Sequence, residues 1–303
     1  MRYVSGPRAR LSVMLTALIT GTSTGIGRAT ALELARSGLT VWASMRDTSM
    51  GASLESIASS ENLDLRVLQL DVEDDDSVDA AFQKAGNIDV LVNNAGLSPI
   101  GSVEEFQVDA WKQLFETNVF GLIRCTQAAL PAMRDNAFGH IINISSVAGR
   151  VAIPMFGPYS SSKWAVEALT ETLACEASIF GIRVSLVEPG AVATPIREKT
   201  GRPDRDSPYR PVAKNWGFSV GYDHAFPSEP EDVAACIGQL IRDPSPPLRV
   251  TVGRGVKQMV DLRSGHSDNE WIDLWSSETS DFLSAWESLT GDDLTDLSTK
   301  PDS

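Results

Sequence analysis

The amino-acid sequence predicts an α/β fold: a single doubly wound domain on a seven-stranded parallel sheet, with a C-terminal acidic helical tail. Three observations predict it. Seven short runs rich in Val, Ile and Leu alternate with longer amphipathic segments between residues 14 and 262. These runs are nearly continuous in apolar residues, as strands covered on both faces are, and do not alternate with polar ones. A glycine-rich turn follows the first run and opens a helix.

Taken in order, residues 15–20 read as a buried strand and 25–37 as the helix after the glycine turn. A strand at 40–45, a helix at 53–60, a strand at 65–70, a helix at 77–84 and a strand at 88–92 follow. A long helix over about 108–134 leads to a strand at 140–145, and a helix over about 158–180 to a strand at 183–188. A helix at 230–242 and a strand at 248–252 close the pattern. Residues 197–229 break the rhythm, being rich in Pro, Gly, Arg and Asp with apolar residues in no clear period. They read as an irregular lid, because they follow the C-terminal end of a strand, where ligands bind in such sheets. Residues 1–13 read as a basic extension without structure, and Met14 suits a start as well as Met1. The apolar run at 15–19 is too short to span a bilayer, so a cytoplasmic location is expected.

Composition narrows the function. Lys and Arg number 26 against 40 Asp and Glu, a formal charge of −14, and 42% of residues are hydrophobic. There is material for a large core, and the acidic balance disfavours nucleic-acid backbone or an anionic membrane as partner. Cys125, Cys175 and Cys236 are far apart and outside any CxxC, so they read as reduced core residues. His140, His224 and His266 show no helical pairing, so no metal site is expected.

The segment Thr20-Gly21-Thr22-Ser23-Thr24-Gly25-Ile26-Gly27 lies between the first strand and the first helix. Its glycines let backbone approach a pyrophosphate, and the helix N-terminus offers free N–H groups to the anion. Gly21, Ser23, Thr24, Gly25, Ile26 and Gly27 are therefore candidate cofactor ligands on a Rossmann-type domain. No Lys-Ser/Thr follows the last glycine, which disfavours a P-loop NTPase. At the end of the second strand, Met45 stands where an acid would hold a ribose hydroxyl, and Arg46 follows it. Arg46 with Ser23 would make a pocket for a 2′-phosphate, so NADP(H) is favoured over NAD(H). Asp47 opposes this, since it is placed to neutralise Arg46 or to meet a ribose itself.

Tyr159 and Lys163 stand four apart at a helix start and so share a face. A phenol titrating near ~10 is a poor base at neutral pH, and a neighbouring ammonium lowers that value. Ser146, at the end of the preceding strand, is placed to donate to a substrate oxygen. Asn118, between Phe115 and Val119, reads either as a satisfied core amide or as the orienter of a water leading to Lys163.

These motifs resemble those of the short-chain dehydrogenase/reductase family. The matching segments are TGTSTGIG (20–27), Asp71-Val72, NNAG (93–96), Asn118, NISSVAG (143–149), YSSSK (159–163) and PGAVAT (189–194), spanning about residues 15–262. The resemblance implies a catalytic tetrad of Asn118, Ser146, Tyr159 and Lys163, with Ser146 chosen over Ser145 for its spacing to Tyr159. It implies adenine contacts from Asp71 and Val72, and places Asn93, Ala95 and Gly96 on the cofactor side. It also implies nicotinamide contacts from Pro189, Gly190 and Thr194, with Tyr159 and Lys163 reaching the same cofactor. Segments 44–47, 93–105, 127–134 and 162–171 look like the hydroxysteroid and retinol dehydrogenase subgroup, which implies a small apolar alcohol or ketone substrate. Ser161 and Ser162 depart from the small apolar residues usual between Tyr and Lys. A homodimer or homotetramer through the helices near 108–134 and 158–180 is implied as well. The competing reading is a cofactor-binding regulatory protein without turnover, which an intact tetrad disfavours.

Met155, Phe156, Pro158, Trp216, Phe218 and Tyr222 are candidates for an apolar pocket, with ordinary packing the equal alternative. The tail, 264–303, holds ten acids against the single base Lys300. Trp271, Trp275, Phe282, Trp286 and Leu289 mark one face of an amphipathic helix there. Acids on the other face exclude a membrane-surface helix. The helix is expected to pack on its own domain or on a second subunit, or else to cover the substrate site. Residues 291–303 lack periodicity and are expected to be disordered.

Overall fold

Seven parallel strands lie in the order β3-β2-β1-β4-β5-β6-β7 in a computed structural model that describes residues 14–196, 206–225 and 227–290. They are β1 (Thr16–Ile19), β2 (Thr40–Met45), β3 (Leu65–Gln69), β4 (Val90–Asn93), β5 (Gly139–Ile144), β6 (Ile182–Pro189) and β7 (Arg249–Val252). The chain runs outward from β1 to β3, then crosses back to β4, so the order reverses between β1 and β4. The alternating pleat explains the two-sided burial: Ala17 and Ile19 enter one core, while Leu18 enters the other. Helices α1 (Gly25–Arg36), α2 (Ala52–Glu61) and α8 (Pro230–Arg242) cover the first face. On the second lie α3 (Asp75–Ala85), α5 (Gly121–Asp135) and α6 (Gly157–Ser178).

The expected long helix over 108–134 is α4 (Val108–Phe115) and α5, joined by a π-helical turn at Glu116–Phe120. One extra residue per turn is accommodated there, with the Gly121 N–H reaching back to the Glu116 carbonyl. Such turns interrupt helices at functional positions, and this one contains Asn118.

Two expectations need correction. Within the predicted irregular stretch, α7 (Arg210–Ala225) is a regular helix, while residues 197–205 lie outside the described residues. Pro211 is tolerated at its first turn, but Gly217 and Gly221 dilute the helical period, and packing on the tail supplies what propensity lacks. The tail itself is not one helix. After α9 (Val256–Gly265), α10 (Asp268–Ser276) and α11 (Thr279–Thr290) are separated by extended backbone at Ser277. A capping box between Ser267 and Glu270 starts α10. Leu289 is 36% exposed and off the buried face, whereas Trp271, Trp275, Phe282 and Trp286 are buried. These four rings join Val151, Met155 and Trp216 in a third core. The tail therefore packs on its own chain. Residues 1–13 and 291–303, expected to be unstructured, lie outside the described residues.

Candidate active site

The ends of β1 and β4 meet at the reversal of strand order, the usual ligand crevice of such sheets. Here the glycine turn is fixed by its own backbone. Gly21 and Gly25 have φ of +71° and +57°, and a Cβ on Gly27 would lie 2.4 Å from the Gly21 carbonyl oxygen. Asn94 Nδ2 donates to the Thr20 and Gly21 carbonyls at 2.8 and 3.1 Å. Thr20 Oγ1 in turn accepts from the N–H groups of Asn94 and Ala95 at 2.9 and 3.0 Å. Thr24, the N-cap of α1, makes no side-chain capping bond, so the first-turn N–H groups keep their capacity for an anion. This cradle, which a Cβ would fill, fits a dinucleotide pyrophosphate. Thr20 and Asn94 are residues that sequence reasoning passed over; the doubled Asn after a strand was the available signal.

Arg46 is exposed at the end of β2 and makes no ion pair among the described residues. Asp47 does not neutralise it. Its carboxylate accepts from the Ser49 N–H at 3.0 Å, and that bonding holds its pKa below the usual carboxylate value. Asp71, past β3, accepts from the Glu73 N–H at 3.1 Å and stays half-buried, while Val72 packs on Gly121. Asn93 is buried and its amide donates to Thr126 Oγ1 and Asn143 Oδ1 at 3.1 and 2.9 Å. It supports β4 and β5 from within. Gly96 faces the Asn118 amide, where a Cβ would meet Oδ1 at 3.3 Å. Beyond β6, Thr194 Cγ2 lies where it would touch a Cβ on Gly25 at 3.0 Å. Pro189 and Gly190 stand beside Ser146, whose hydroxyl donates to the Pro189 carbonyl at 3.4 Å.

Ser146, Tyr159 and Lys163 are brought together between β5 and α6. Ser146 caps a short 3-10 turn by accepting from the Ala148 N–H at 3.2 Å. Lys163 is 6% exposed; its Nζ donates to the Ile144 carbonyl at 2.8 Å and lies 5.8 Å from the centre of the Tyr159 ring. Burial pushes the lysine down to about 8, and the charge of Glu167 opposes that. The tyrosine departs from the sequence expectation. Burial raises its pKa, and the neighbouring Ser146 hydroxyl opposes that.

Asn118, within the π turn, is bonded on both sides of its amide. Its side chain accepts from the Leu97 N–H at 2.7 Å and donates to the Leu97 carbonyl at 2.9 Å and to Ser162 Oγ at 3.0 Å. Ser162 then donates to the Tyr159 carbonyl at 2.8 Å. The unusual serine before Lys163 thus ties the π turn to the first turn of α6. Both N–H groups of the Asn118 amide are thus used within the protein.

A small, largely apolar cleft of about 60 Å³ adjoins this group. It is lined by Val147, Val151, Ile153, Gly190, Val256, Met259 and Trp275, with Ser219 and Arg254 as polar neighbours. The residues expected to line a pocket mostly lie beneath it. Met155 and Trp216 are buried in the aromatic core, Phe156 stacks edge-on against Trp216 at 5.5 Å, and Phe218 is half-buried beside them. Pro158 is buried in the first turn of α6, and the Tyr222 side chain lies outside the described residues. The wall contributed by Trp275 and Met259 was not foreseen. Among the described residues, no three His, Cys, Asp or Glu side chains converge as a metal site requires, and no helix is long and apolar enough to cross a membrane.

Known proteins share this arrangement. The sequence pattern of the family described as short chain dehydrogenase matches residues 15–205. Retinol dehydrogenase 8 of Bos taurus is 37% identical over 255 residues, covering 77% of this chain and 80% of that protein. Estradiol 17-beta-dehydrogenase 1 of Rattus norvegicus is 36% identical over 248 residues, covering 77% and 72%. Among solved structures, a short-chain dehydrogenase from Streptomyces avermitilis matches with a TM-score of 0.73 at 32% identity, over 92% of this chain and 98% of that one. A gluconate 5-dehydrogenase from Burkholderia cenocepacia, solved with NADP and tartrate, matches with a TM-score of 0.69 at 26% identity, over 80% and 95%. The chain belongs to the short-chain dehydrogenase family, and is an NAD(P)-dependent oxidoreductase acting on CH–OH groups.

Proposed function

We propose that the protein transfers hydride between NADP(H) and an apolar secondary alcohol or ketone, of steroid-like, retinoid-like or other hydrophobic carbonyl type. The observation that carries this reading is the grouping of Tyr159 and Lys163, with the Lys163 Nζ 5.8 Å from the Tyr159 ring centre, beside Ser146 and a cleft walled by aliphatic and aromatic side chains. Relatives named for retinol and estradiol support the apolar class. Arg46, unpaired at the end of β2, supports the 2′-phosphate, as does the NADP in a structural relative.

The nicotinamide, when bound, supplies the hydride acceptor or donor. Ser146 would hold the substrate oxygen by hydrogen bonding as charge develops on it. Tyr159 would pass the proton: to the alkoxide in reduction, from the hydroxyl in oxidation. Its raised pKa keeps it protonated at neutral pH, which suits reduction. Lys163 would stabilise the phenolate left behind and reach the cofactor ribose, while Asn118 fixes the turn that bears Tyr159. Gly21, Ser23, Thr24, Gly25, Ile26 and Gly27 would hold the pyrophosphate, and Asp71 and Val72 the adenine. Pro189, Gly190 and Thr194 would hold the nicotinamide side, backed by Asn93, Ala95 and Gly96.

A homo-oligomer through α4–α5 and α6 is part of the proposal. Phe120 and Trp164 on these helices are 48% and 51% exposed, large apolar surface for a monomer to leave in water. Three free cysteines suit a reducing cytoplasm.

The test is a panel of apolar secondary alcohols and ketones followed at the nicotinamide absorbance with both cofactors, before and after Arg46→Ala. Turnover with a preference for NADP(H), falling about tenfold in the variant, supports the proposal. Cofactor binding without turnover on any member would favour a regulatory protein, and unchanged cofactor discrimination would remove Arg46 from its role.

A further inference from the structure

Behind the reactive trio lies a buried charge cluster that hydride and proton transfer do not themselves use. Glu167 stands one helical turn beyond Lys163 on α6 and is 5% exposed. Its Oε2 accepts from Arg249 Nε at 2.8 Å, while its buried Oε1 has no hydrogen-bond partner. Arg249, at the start of β7, also pairs with Glu171 at 2.6 Å and lies 3.6 Å from Glu188 Oε1. Glu188 is 1% exposed and is held by Arg150 at 3.1 Å. Three carboxylates thus share two guanidinium groups beneath the active site.

Such a cluster is an expensive way to fill space. Apolar residues of similar volume usually serve stability as well or better. A half-satisfied buried carboxylate beside a lysine with little solvent access is better explained by its field. Burial alone drives Lys163 towards the neutral amine, and its single hydrogen-bond acceptor is a backbone carbonyl.

We infer that Glu167 is a positioning residue that keeps Lys163 an ammonium at working pH, and that Arg249 sets how much of the Glu167 charge Lys163 feels. The inference rests on the proposed role of Lys163. Other ionisable groups around Lys163 are accounted for. On its own helix Tyr159 turns its ring to the Nζ at 5.8 Å, and Glu171 is paired with Arg249. β5 offers only the Ile144 carbonyl, β6 offers Glu188, and the 3-10 segment offers Arg150, these last two paired with each other. On α4 and the π turn, Asp109 pairs with Lys112 and Glu116 with Arg124.

The experiment titrates Lys163 directly, in the full chain without cofactor, by NMR of the ¹³Cε-labelled lysines, with Lys163 assigned from Lys163→Arg. Glu167→Gln should lower its midpoint by about one pH unit, because an opposite charge is removed while Arg249 stays. Arg249→Gln should raise it, because the guanidinium that offsets the Glu167 charge is then gone. The upper pH limb of ketone reduction should move the same way in each variant. A midpoint unmoved in both variants, or moved in the same direction by both, overturns the inference, since loss of packing would not give opposite signs. If Glu167→Gln does not fold, an Arg249→Gln midpoint at or below the wild-type value overturns it alone. The titration needs neither cofactor nor substrate, so opposite shifts without turnover on the panel would uphold the electrostatics and reject the proposed function. Turnover without shifts would do the reverse.

Discussion

At the C-terminal edge of the sheet, side chains are fixed by atom-to-atom bonds within a turn or between adjacent strands. Thr20 binds Asn94, Ser146 binds Ala148, Lys163 binds Ile144, and Asn118 binds Leu97. The aromatic layer of α7, α10 and α11 is held differently. Trp275 lies 5.8, 5.2 and 5.6 Å from Trp271, Phe282 and Trp286, ring centre to ring centre. Among the described residues, the indole N–H groups of Trp216 and Trp275 find no acceptor, whereas that of Trp271 donates to the Ala152 carbonyl at 3.0 Å. One region is specified by particular atoms and the other by volume. Removing one oxygen should therefore abolish chemistry at the edge, while the layer should respond in proportion to the volume lost.

The largest expected effect breaks the edge. Tyr159→Phe removes only the phenolic oxygen and should lower kcat by about 10²–10⁴-fold while leaving cofactor affinity within a few fold. Steady-state kinetics with a nicotinamide fluorescence titration checks both. A kcat within tenfold of wild type would remove Tyr159 from proton transfer.

Next comes the layer. Phe282, with no exposed surface, should cost about 3–5 kcal/mol of unfolding free energy when replaced by Ala. Trp275→Ala should do more: it also removes part of the cleft wall, so KM should rise for small ketones relative to bulky ones. Urea unfolding and a KM series separate the two effects. A stable Phe282→Ala would mean that the layer is only loosely joined to the body, and unchanged KM ratios in Trp275→Ala would mean that the tail is packing alone.

The smallest effect concerns a polar pair far from both regions. His140 is fully buried at the start of β5, its Nε2 is 3.0 Å from Ser185 Oγ, and burial pushes it down to about 3 from 6.5. Below pH 6.5 the unfolded chain takes up a proton that the folded chain refuses until about pH 3. Stability should thus fall with decreasing pH in that window, by up to about 1.4 kcal/mol per pH unit. His140→Gln should flatten this slope without touching kcat at pH 7, as urea melts at several pH values would reveal. An unaltered slope would assign the acid limb to other groups.

The strands were legible because each is a short apolar run and its neighbours in sequence supply the turn chemistry. The stretch expected at 40–45 coincides with β2, and that expected at 65–70 differs from β3 by one residue. The glycine turn and the Tyr159–Lys163 spacing were equally local. Less legible was α7, whose glycines hide its period until Trp216 packs on the tail. The upward direction of the phenol's pKa was not legible, because burial, its cause, is not displayed by a sequence. Glu167 read as one polar residue on a helix until Arg249, 82 positions away, was brought against it.

By itself the sequence determined the parallel sheet, the glycine turn and which side chains are candidates for the chemistry, since each follows from residues within one or two turns of each other. Only the tertiary structure decided how deeply Tyr159 and Lys163 are buried, which atoms hold Asn118, and that Trp275 walls the cleft. Desolvation and close packing are properties of what surrounds a residue, and those surroundings come from segments far apart in the chain.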